Sequence, residues 1–448
     1  MPPFGVAFLS GMLKRVGVKS RLHDDNRIGL TDDQFRSLFL KHKAEIRAIG
    51  LTSITTTINQ IRRLARLSKE VLPDVPVIVG GPHARLRPED IIAFPEVDLV
   101  FTSEADLAVA RFAKGEPLPD IPGLMYRENG GIRQNPVVEA IDINQLPFPD
   151  YDLFDIRDYR TTRGYGKRHP NSYLVTSRGC PYKCTFCASK SLNPTPDKSV
   201  RFRDPESVIA EIELLSGKYG VRELFFADDM FTGRDAHVFG ICEGLIRLGA
   251  DMIWVCMTHV NNVTEEKLRI MKRAGCHQVC FGVESGDPDI QKAINKNLEL
   301  DRVRQVVRLA RRAGLDVRCS FMFGNQNETP ATMQRTLDFA QSLKLDFASL
   351  NIATPYPGTG LRAWAIENGY LANPDYEALD GTTYPIVTPE LPPGTVEHYY
   401  EKAFKSFYFS PRYALRRLGR VRTREDMSRY LKSAALGLAS LPAMLKKR

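Results

Sequence analysis

Apolar residues recur along the chain at two periods, and the switches between them lay out its architecture. "FGVAFLSGMLKRVG" puts Phe8, Leu9, Met12, Leu13 and Val16 on one helical face. "VKSRLHD" (18–24) reads as a short strand, "DDQFRSLFLKHKAEI" as a helix and "AIGLTSITTT" as a strand. "INQIRRLARLSKEVLP" carries Ile61, Leu64, Leu67 and Val71 on one face; "VPVIVGGPH" is a buried strand ending in Gly80-Gly81, and "VDLVFTSEAD" closes the series. Strands alternating with helices predict a doubly wound, mostly parallel α/β domain over residues 1–114. The series opens on a helix, where a domain of this kind normally opens on a central strand. Its first strand is therefore lacking, which would leave interior neighbours with unpaired backbone groups, and a natural start upstream of Met1 is expected.

Residues 115–168 are rich in Pro and Gly and read as a linker with a small hairpin turning at Asn129-Gly130-Gly131, followed by the extended run "LPFPDYDLF". A second alternation fills 169–375. Its strands are "SYLVTS", "ELFFADD", "IWVCMT", "QVCFGVE", "VRCSFMFG" and "FASLNIA", with amphipathic helices such as "LDRVRQVVRLARRAG" between them. Six such units predict a partial (β/α)6 barrel whose active site lies at the C-terminal ends of the strands. Residues 376–448 are loop-rich, then basic and helical.

Charge changes the picture at one place. The net charge is +9, but residues 402–448 hold 13 Lys/Arg against 2 Asp/Glu, so this segment alone carries +11 and the remainder −2. A solvated helical tail accounts for this; contact with an anionic surface, such as a membrane, is the sharper expectation. The longest uncharged apolar run, "SAALGLASLPAML" (433–445), is too short to span a bilayer and is broken by Pro442. With no export signal at the N-terminus and only eight cysteines, a cytoplasmic protein is expected, with membrane contact at most peripheral.

Three of those cysteines, Cys180, Cys184 and Cys187, fall in "SRGCPYKCTFCASKS" with the spacing C-x3-C-x2-C. They follow a predicted strand directly, which puts them at the barrel mouth. No fourth Cys or His stands at zinc-finger spacing, whereas three thiolates suit three irons of a 4Fe–4S cube with one iron left open. Gly179 and Pro181 shape the turn, and Phe186 is expected to pack on the cluster or its ligand. The other five, Cys242, Cys256, Cys276, Cys280 and Cys319, are scattered on barrel elements and read as small buried hydrophobes.

"CPYKCTFC" resembles the cluster motif of radical S-adenosylmethionine (SAM) enzymes. "ELFFADDMFT", "VCFGVESGD" and "TPYPGT" resemble that family's further barrel motifs, so the resemblance covers roughly residues 170–375. It implies that Cys180, Cys184 and Cys187 bind the cluster, whose open iron holds the amino and carboxylate groups of SAM. It also implies reductive cleavage to methionine and a 5′-deoxyadenosyl radical that abstracts hydrogen from an unactivated carbon. Asp228, Asp229, Glu284 and Ser285 are expected to face SAM, and Arg318 to pair with its carboxylate. "MFGNQNET" stands where relatives have a Gly-Pro-Gly-Glu-Thr turn; Gly324 remains, while Gln326 and Asn327 replace Pro and Gly.

A doubly wound domain ahead of such a barrel resembles the cobalamin-binding subclass, the class B methyltransferases. Gly80-Gly81 matches its Gly-Gly turn, and Ser53-Ile54-Thr55 resembles its Ser-x-Leu element, which makes Ser53, Thr55, Gly80 and Gly81 candidate cobalamin contacts. The Asp-x-His-x-x-Gly element is absent, so cobalt ligation by histidine is not expected, and His83 reads as a loop histidine. The alternative is a Rossmann-like domain serving only as scaffold. The resemblance implies a radical SAM enzyme with a 4Fe–4S cluster, SAM and cobalamin, performing C-methylation of a small-molecule or lipid-like substrate. Its electrons would come from a reductant such as flavodoxin or ferredoxin. Cyclisation, hydroxylation or rearrangement of a tetrapyrrole or hopanoid is the alternative outcome. RNA methylthiotransferases, with a similar barrel, carry three further cysteines in the N-terminal domain; residues 1–179 here have none, so nucleic acid is not the expected partner.

Overall fold

The computed structural model describes residues 2–137, 140–159, 166–193, 200–419, 421, 423 and 425–427. The apolar run 433–445 and most of the basic tail lie outside the described residues.

The first sheet has five strands in sequence order: β1 (Ile49–Thr52), β2 (Val77–Gly80), β3 (Leu99–Phe101), β4 (Leu124–Glu128) and β5 (Gly131–Gln134). β1, β2 and β3 are parallel; β4 and β5 are the predicted hairpin, and β4 pairs antiparallel with β3. The hairpin thus completes the N-terminal sheet instead of standing apart in a linker. Ile61 and Ala65 of the helix Ile58–Val71 pack with Val77, Val79 and Val100 of the sheet.

"VKSRLHD" is not a strand. Residues 18–24 are irregular, and among the described residues no strand pairs with the outer edge of β1. A strand exists only through a partner's backbone, and Val18–Asp24 makes no ladder pairing with that open edge.

After two short strands at the cluster loop, the barrel follows the predicted order. β6 (Asn171–Leu174) precedes β7 (Ser177–Arg178) and β8 (Arg201–Phe202), which pair with each other. β9 (Glu223–Phe226), β10 (Ile253–Thr258), β11 (Cys276–Glu284), β12 (Asp316–Phe323) and β13 (Phe347–Ile352) complete a six-stranded parallel sheet in the order β13-β12-β11-β10-β9-β6. Its core is one continuous cluster in which Phe226, Phe231, Trp254, Phe281 and Phe321 are fully buried. The helix Leu300–Arg312 buries Val303, Val306, Val307 and Ala310 against it and turns its arginines outward. All five cysteines outside the motif are buried.

Candidate functional site

The cysteine loop is held from several sides. At its root, Asp228, just after β9, accepts hydrogen bonds from the Thr176 amide (2.7 Å), the Ser177 amide (2.5 Å) and the Thr176 hydroxyl (2.7 Å). His237 Nε2 lies 2.8 Å from the same hydroxyl, while its Nδ1 faces the Arg203 carbonyl at 3.1 Å. Burial raises Asp228 to about 6 and lowers His237 to about 4. Gly179 takes φ +101°, and the loop beyond it is clamped by three bonds. Thr185 N donates to the Ile294 carbonyl (3.0 Å), Asn295 Nδ2 to the Lys183 carbonyl (3.0 Å) and Leu361 N to the Thr185 carbonyl (2.9 Å). Tyr182 stacks on His259 with ring centroids 3.9 Å apart. Phe186 packs with Met322 and Ala353 at the ends of β12 and β13, with Leu361 and Ala365 of the helix Gly360–Glu367, and with Ile386.

Within this frame Cys184 is buried, and Cys180 and Cys187 are partly exposed. Burial pushes the Cys184 thiol up to about 11, while the Lys296 ammonium pulls it the other way. Among the described residues, no three His, Cys, Asp or Glu side chains converge on one point as a single ion would require. A cube requires no such convergence, because each thiolate binds its own iron. The donor set therefore fits a 4Fe–4S cluster.

Beside the loop, β11 bulges between Gly282 and Glu284, and Glu284 takes φ +70°. The Glu284 carboxylate accepts from Lys296 Nζ (3.1 Å) and Ser320 Oγ (3.0 Å), all three at the barrel interior. A Cβ at Gly282 would stand 2.6 Å from Glu284 Oε1 and 2.7 Å from Lys296 Nζ, so this glycine makes room for the pair. Asp229 is solvent-accessible at the mouth, close enough to Cys180 for its charge to raise that thiol, and its own carboxyl is raised by desolvation. These groups, one accessible carboxylate and a buried ammonium–carboxylate pair, fit a zwitterionic, ribose-bearing ligand such as SAM.

Three expected SAM contacts, and Gly324 of the altered turn, which was a candidate cofactor contact, are engaged elsewhere. All three donors around Asp228 belong to the loop root, so it braces the loop. Ser285 is fully buried; its hydroxyl meets Thr336 Oγ1 (3.1 Å) and accepts from the Asp287 amide (3.1 Å), which ties it to the start of the next helix. Arg318 stands at the third position of β12, about 16 Å below the mouth at 3.3 Å per residue, donating to Ser349 Oγ and lying over Phe347. Gly324, at φ +87°, has its missing side chain's place filled by Tyr384, whose hydroxyl donates to the Gly324 carbonyl (2.7 Å). In turn, Lys296, Tyr182 and His259 were not anticipated. For Lys296 the available signal was its frame "INKN": Asn295 and Asn297 both adopt φ +52°, the conformation that asparagine tolerates, and the turn carries Lys296 inward.

In the first sheet, Ser53 joins the loops after β1 and β2. Its hydroxyl donates to the Gly80 carbonyl (2.8 Å) and accepts from the Ala84 amide (3.1 Å). Gly81 sits at φ +98°, where a Cβ would lie 2.6 Å from the Ser53 carbonyl oxygen. Gly80 is open by contrast, with only Phe101 Cβ at 3.9 Å, and Ile54 is half exposed beside it. An open glycine and an exposed apolar side chain at the C-terminal edge fit the nucleotide tail and face of a cobalamin. His83 is fully buried; its Nδ1 is 3.3 Å from Thr55 Oγ1, and its ring meets Tyr376 edge-on, which removes it as a cobalt ligand.

The C-terminal edges of the two sheets face one another across the cysteine loop. After β3, Glu104 receives a bidentate pair from Arg201 (2.8 and 2.7 Å), and Asp106 one from Arg178 (2.9 and 3.1 Å). Arg85, following β2, donates to the Leu192 carbonyl. Partly buried bidentate pairs of this kind hold orientation as well as contact.

Comparison with known proteins matches two stretches of the chain. Residues 1–113 match the B12 binding domain, and residues 174–340 the radical SAM superfamily. An uncharacterised methyltransferase of Pyrococcus horikoshii is 32% identical over 92% of this chain and 88% of its own. The anaerobic magnesium-protoporphyrin IX monomethyl ester cyclase of Rubrivivax gelatinosus is 27% identical over 88% of this chain and 71% of its own. Among solved structures, the cobalamin-dependent SAM radical enzyme OxsB superposes with a TM-score of 0.71 at 18% identity, covering 98% of this chain and 69% of that one. The chain belongs to the radical SAM enzymes that carry an N-terminal B12-binding domain, a family whose cofactors are a 4Fe–4S cluster, S-adenosylmethionine and cobalamin.

Proposed function

We propose that this enzyme methylates carbon on a small-molecule substrate, with Cys180, Cys184 and Cys187 holding the cluster. The observation that carries the reading is the apposition of the two C-terminal sheet edges through Glu104–Arg201 and Asp106–Arg178, with the cysteine loop between them. When bound, the cluster and SAM supply a hydrogen-abstracting radical, and cobalamin supplies a transferable methyl group.

The chain's own residues do the positioning. Asp228 fixes the root of the cysteine loop, and the bonds from Thr185, Asn295 and Leu361 fix its far side. Glu284 offers its carboxylate to the SAM ammonium, and Asp229 to the ribose hydroxyls. Phe186 and its apolar neighbours Met322, Ala353 and Leu361 keep water from that side. Gly80 and Ile54 line the cobalamin side, with Ser53, Thr55 and Gly81 supporting the edge behind them. The electron comes from an external reductant of the flavodoxin or ferredoxin class. Among the described residues no helix is long and apolar enough to cross a membrane.

The test is anaerobic purification from cobalamin-fed cells. About four irons per chain, cobalt stoichiometric with the chain, and formation of methionine, 5′-deoxyadenosine and S-adenosylhomocysteine are expected. Iron without cobalt overturns the methyltransferase reading. The relative named as a protoporphyrin cyclase supports a second reading, radical cyclisation of a tetrapyrrole. A methyl-labelled SAM separates the two, since only methylation puts label into product.

A further inference from the structure

The helix Pro411–Leu418 is tied to the end of the barrel opposite the cysteine loop. The Tyr413 hydroxyl donates to the Asp346 carbonyl (3.0 Å), and Arg417 lies 3.3 Å from the Asp346 carboxylate and 4.0 Å from that of Asp316. Asp346 immediately precedes β13 and Asp316 opens β12, so the helix sits under the N-terminal ends of those strands. The cysteine loop follows the C-terminal end of β6 in the same parallel sheet. The eight residues of β12 put about 25 Å between the two levels.

With Tyr413 and Arg417 turned to the barrel, the helix leaves Leu415 71% exposed and Leu418 52% exposed. Residues three apart are neighbours on a helix, so the two leucines form one apolar strip. Arg412, three positions before Leu415, is exposed beside them, and Arg416 lies over the Tyr413 ring at 5.5 Å. The helix holds no acidic residue, and among the described residues neither Arg412 nor Arg416 has an ion-pair partner. The only acidic residues after Glu401 are Glu425 and Asp426, and both are turned to barrel cations: Glu425 to Arg168 (3.2 Å) and Asp426 to Lys167 (2.8 Å). The sequence beyond Arg417 adds eight Lys/Arg.

A lone exposed leucine is ordinary, but an apolar strip bordered by unpaired arginines lacks two things at once, apolar volume and counter-charge. A nucleic acid would supply the second and leave the leucines in water. A second copy of the chain would cover the leucines and set like charges against each other. An anionic bilayer supplies both.

We propose that this end of the barrel docks on an anionic phospholipid surface. Leu415 and Leu418 enter the boundary between headgroups and acyl chains, and Arg412, Arg416 and the cations of the following sequence meet the headgroups. A strip of two leucines inserts shallowly, so the contact is reversible and salt-sensitive. It lies at the far end of the barrel from the cysteine loop, leaves the barrel mouth clear, and is independent of which reaction the barrel performs.

The experiment is cosedimentation of the full chain with vesicles of phosphatidylglycerol and phosphatidylcholine at low salt. The wild type is expected to pellet with these vesicles and to stay in the supernatant with phosphatidylcholine alone. It should be released at about 1 M NaCl, where the screening length is about 3 Å. Leu415→Ser/Leu418→Ser should lower the partition coefficient roughly tenfold, and Arg412→Gln roughly fivefold, both with the melting temperature of wild type. The arginine variant keeps the test decisive if the double leucine variant melts early. A wild type that stays in the supernatant overturns the inference, and so do variants that pellet like wild type. A dimer in sedimentation velocity that the leucine variant dissolves, or retention on single-stranded RNA with none on the vesicles, overturns it in favour of another occupant.

Discussion

The mouth of the barrel and the edge of the N-terminal sheet each carry recognisable motifs, but they use their residues in different ways. At the sheet edge the recognisable residues hold one another: Ser53 spans Gly80 and Ala84, and Gly81 is shaped to fit against Ser53. At the barrel mouth the recognisable residues are left with chemistry to offer, while partners distant in sequence hold them. Cys184 is framed by residues 294, 295 and 361, and Glu284 by Lys296 and Ser320. Substitutions at the edge should therefore act first through local structure, and substitutions at the mouth first through bound groups.

The largest effect expected is at Cys184. Cys184→Ala removes one of three thiolates and should abolish cluster-dependent SAM cleavage, read as loss of iron and of 5′-deoxyadenosine with the melting temperature of the apo chain little changed. A variant that keeps its iron and its turnover would break the distinction at its strongest point.

Asp228→Ala comes next and should behave differently from Cys184→Ala, although the two lie at one loop. It strands two amides and a hydroxyl in a fully buried place, a loss of about 3 kcal/mol. The apo chain itself should melt lower, and Asp228→Asn, which can still accept from both amides, should recover most of the loss. Equal melting of wild type and Asp228→Ala would show that the brace is not needed.

Gly81→Ala tests the sheet edge. At φ +98° with Ser53 backbone atoms at 2.6 and 2.8 Å from the added Cβ, the loop must shift, at a cost of roughly 2–3 kcal/mol. Iron content should be unchanged and cobalt retention lost. If iron falls in parallel with cobalt, the two regions are not separable in the way their contacts suggest.

How much of this was legible beforehand follows the same divide. The cysteine spacing and the six barrel strands could be read because both are local patterns. "VKSRLHD" could not be judged alone, since pairing depends on a neighbour that no local pattern supplies. Asp228 and Asp229 looked equivalent, although they stand in the turn after β9, where one folds back to Thr176 and the other opens to the mouth. Arg318 was placed by its strand and not by its height along it; five residues separate it from Phe323 at the mouth end. Lys296 was invisible as a charge because a lysine in a polar turn ordinarily points outward, and only the paired asparagines marked the turn as unusual.

The smallest effect concerns Glu328, and its sign is specific. This glutamate is 2% exposed, and one of its oxygens accepts from the Gly324 (2.6 Å) and Asn325 (2.8 Å) amides that shape the turn closing β12. Burial raises it from 4.5 to about 8 despite those bonds. The folded state therefore holds the proton more tightly than the unfolded chain does. The stabilisation is complete below about pH 4.5 and is lost as the pH rises through about 8. Between about pH 6 and about pH 8 the wild-type chain should lose about 2 kcal/mol that Glu328→Gln does not, because the amide oxygen still accepts from both backbone donors and has no proton to release. Thermal melts of the two proteins across that window should converge as the pH rises or cross near its upper end. Parallel curves would mean that Glu328 does not titrate there, and that this turn at the barrel mouth, like the Ser53–Gly81 contact at the sheet edge, is held by geometry without any contribution from charge.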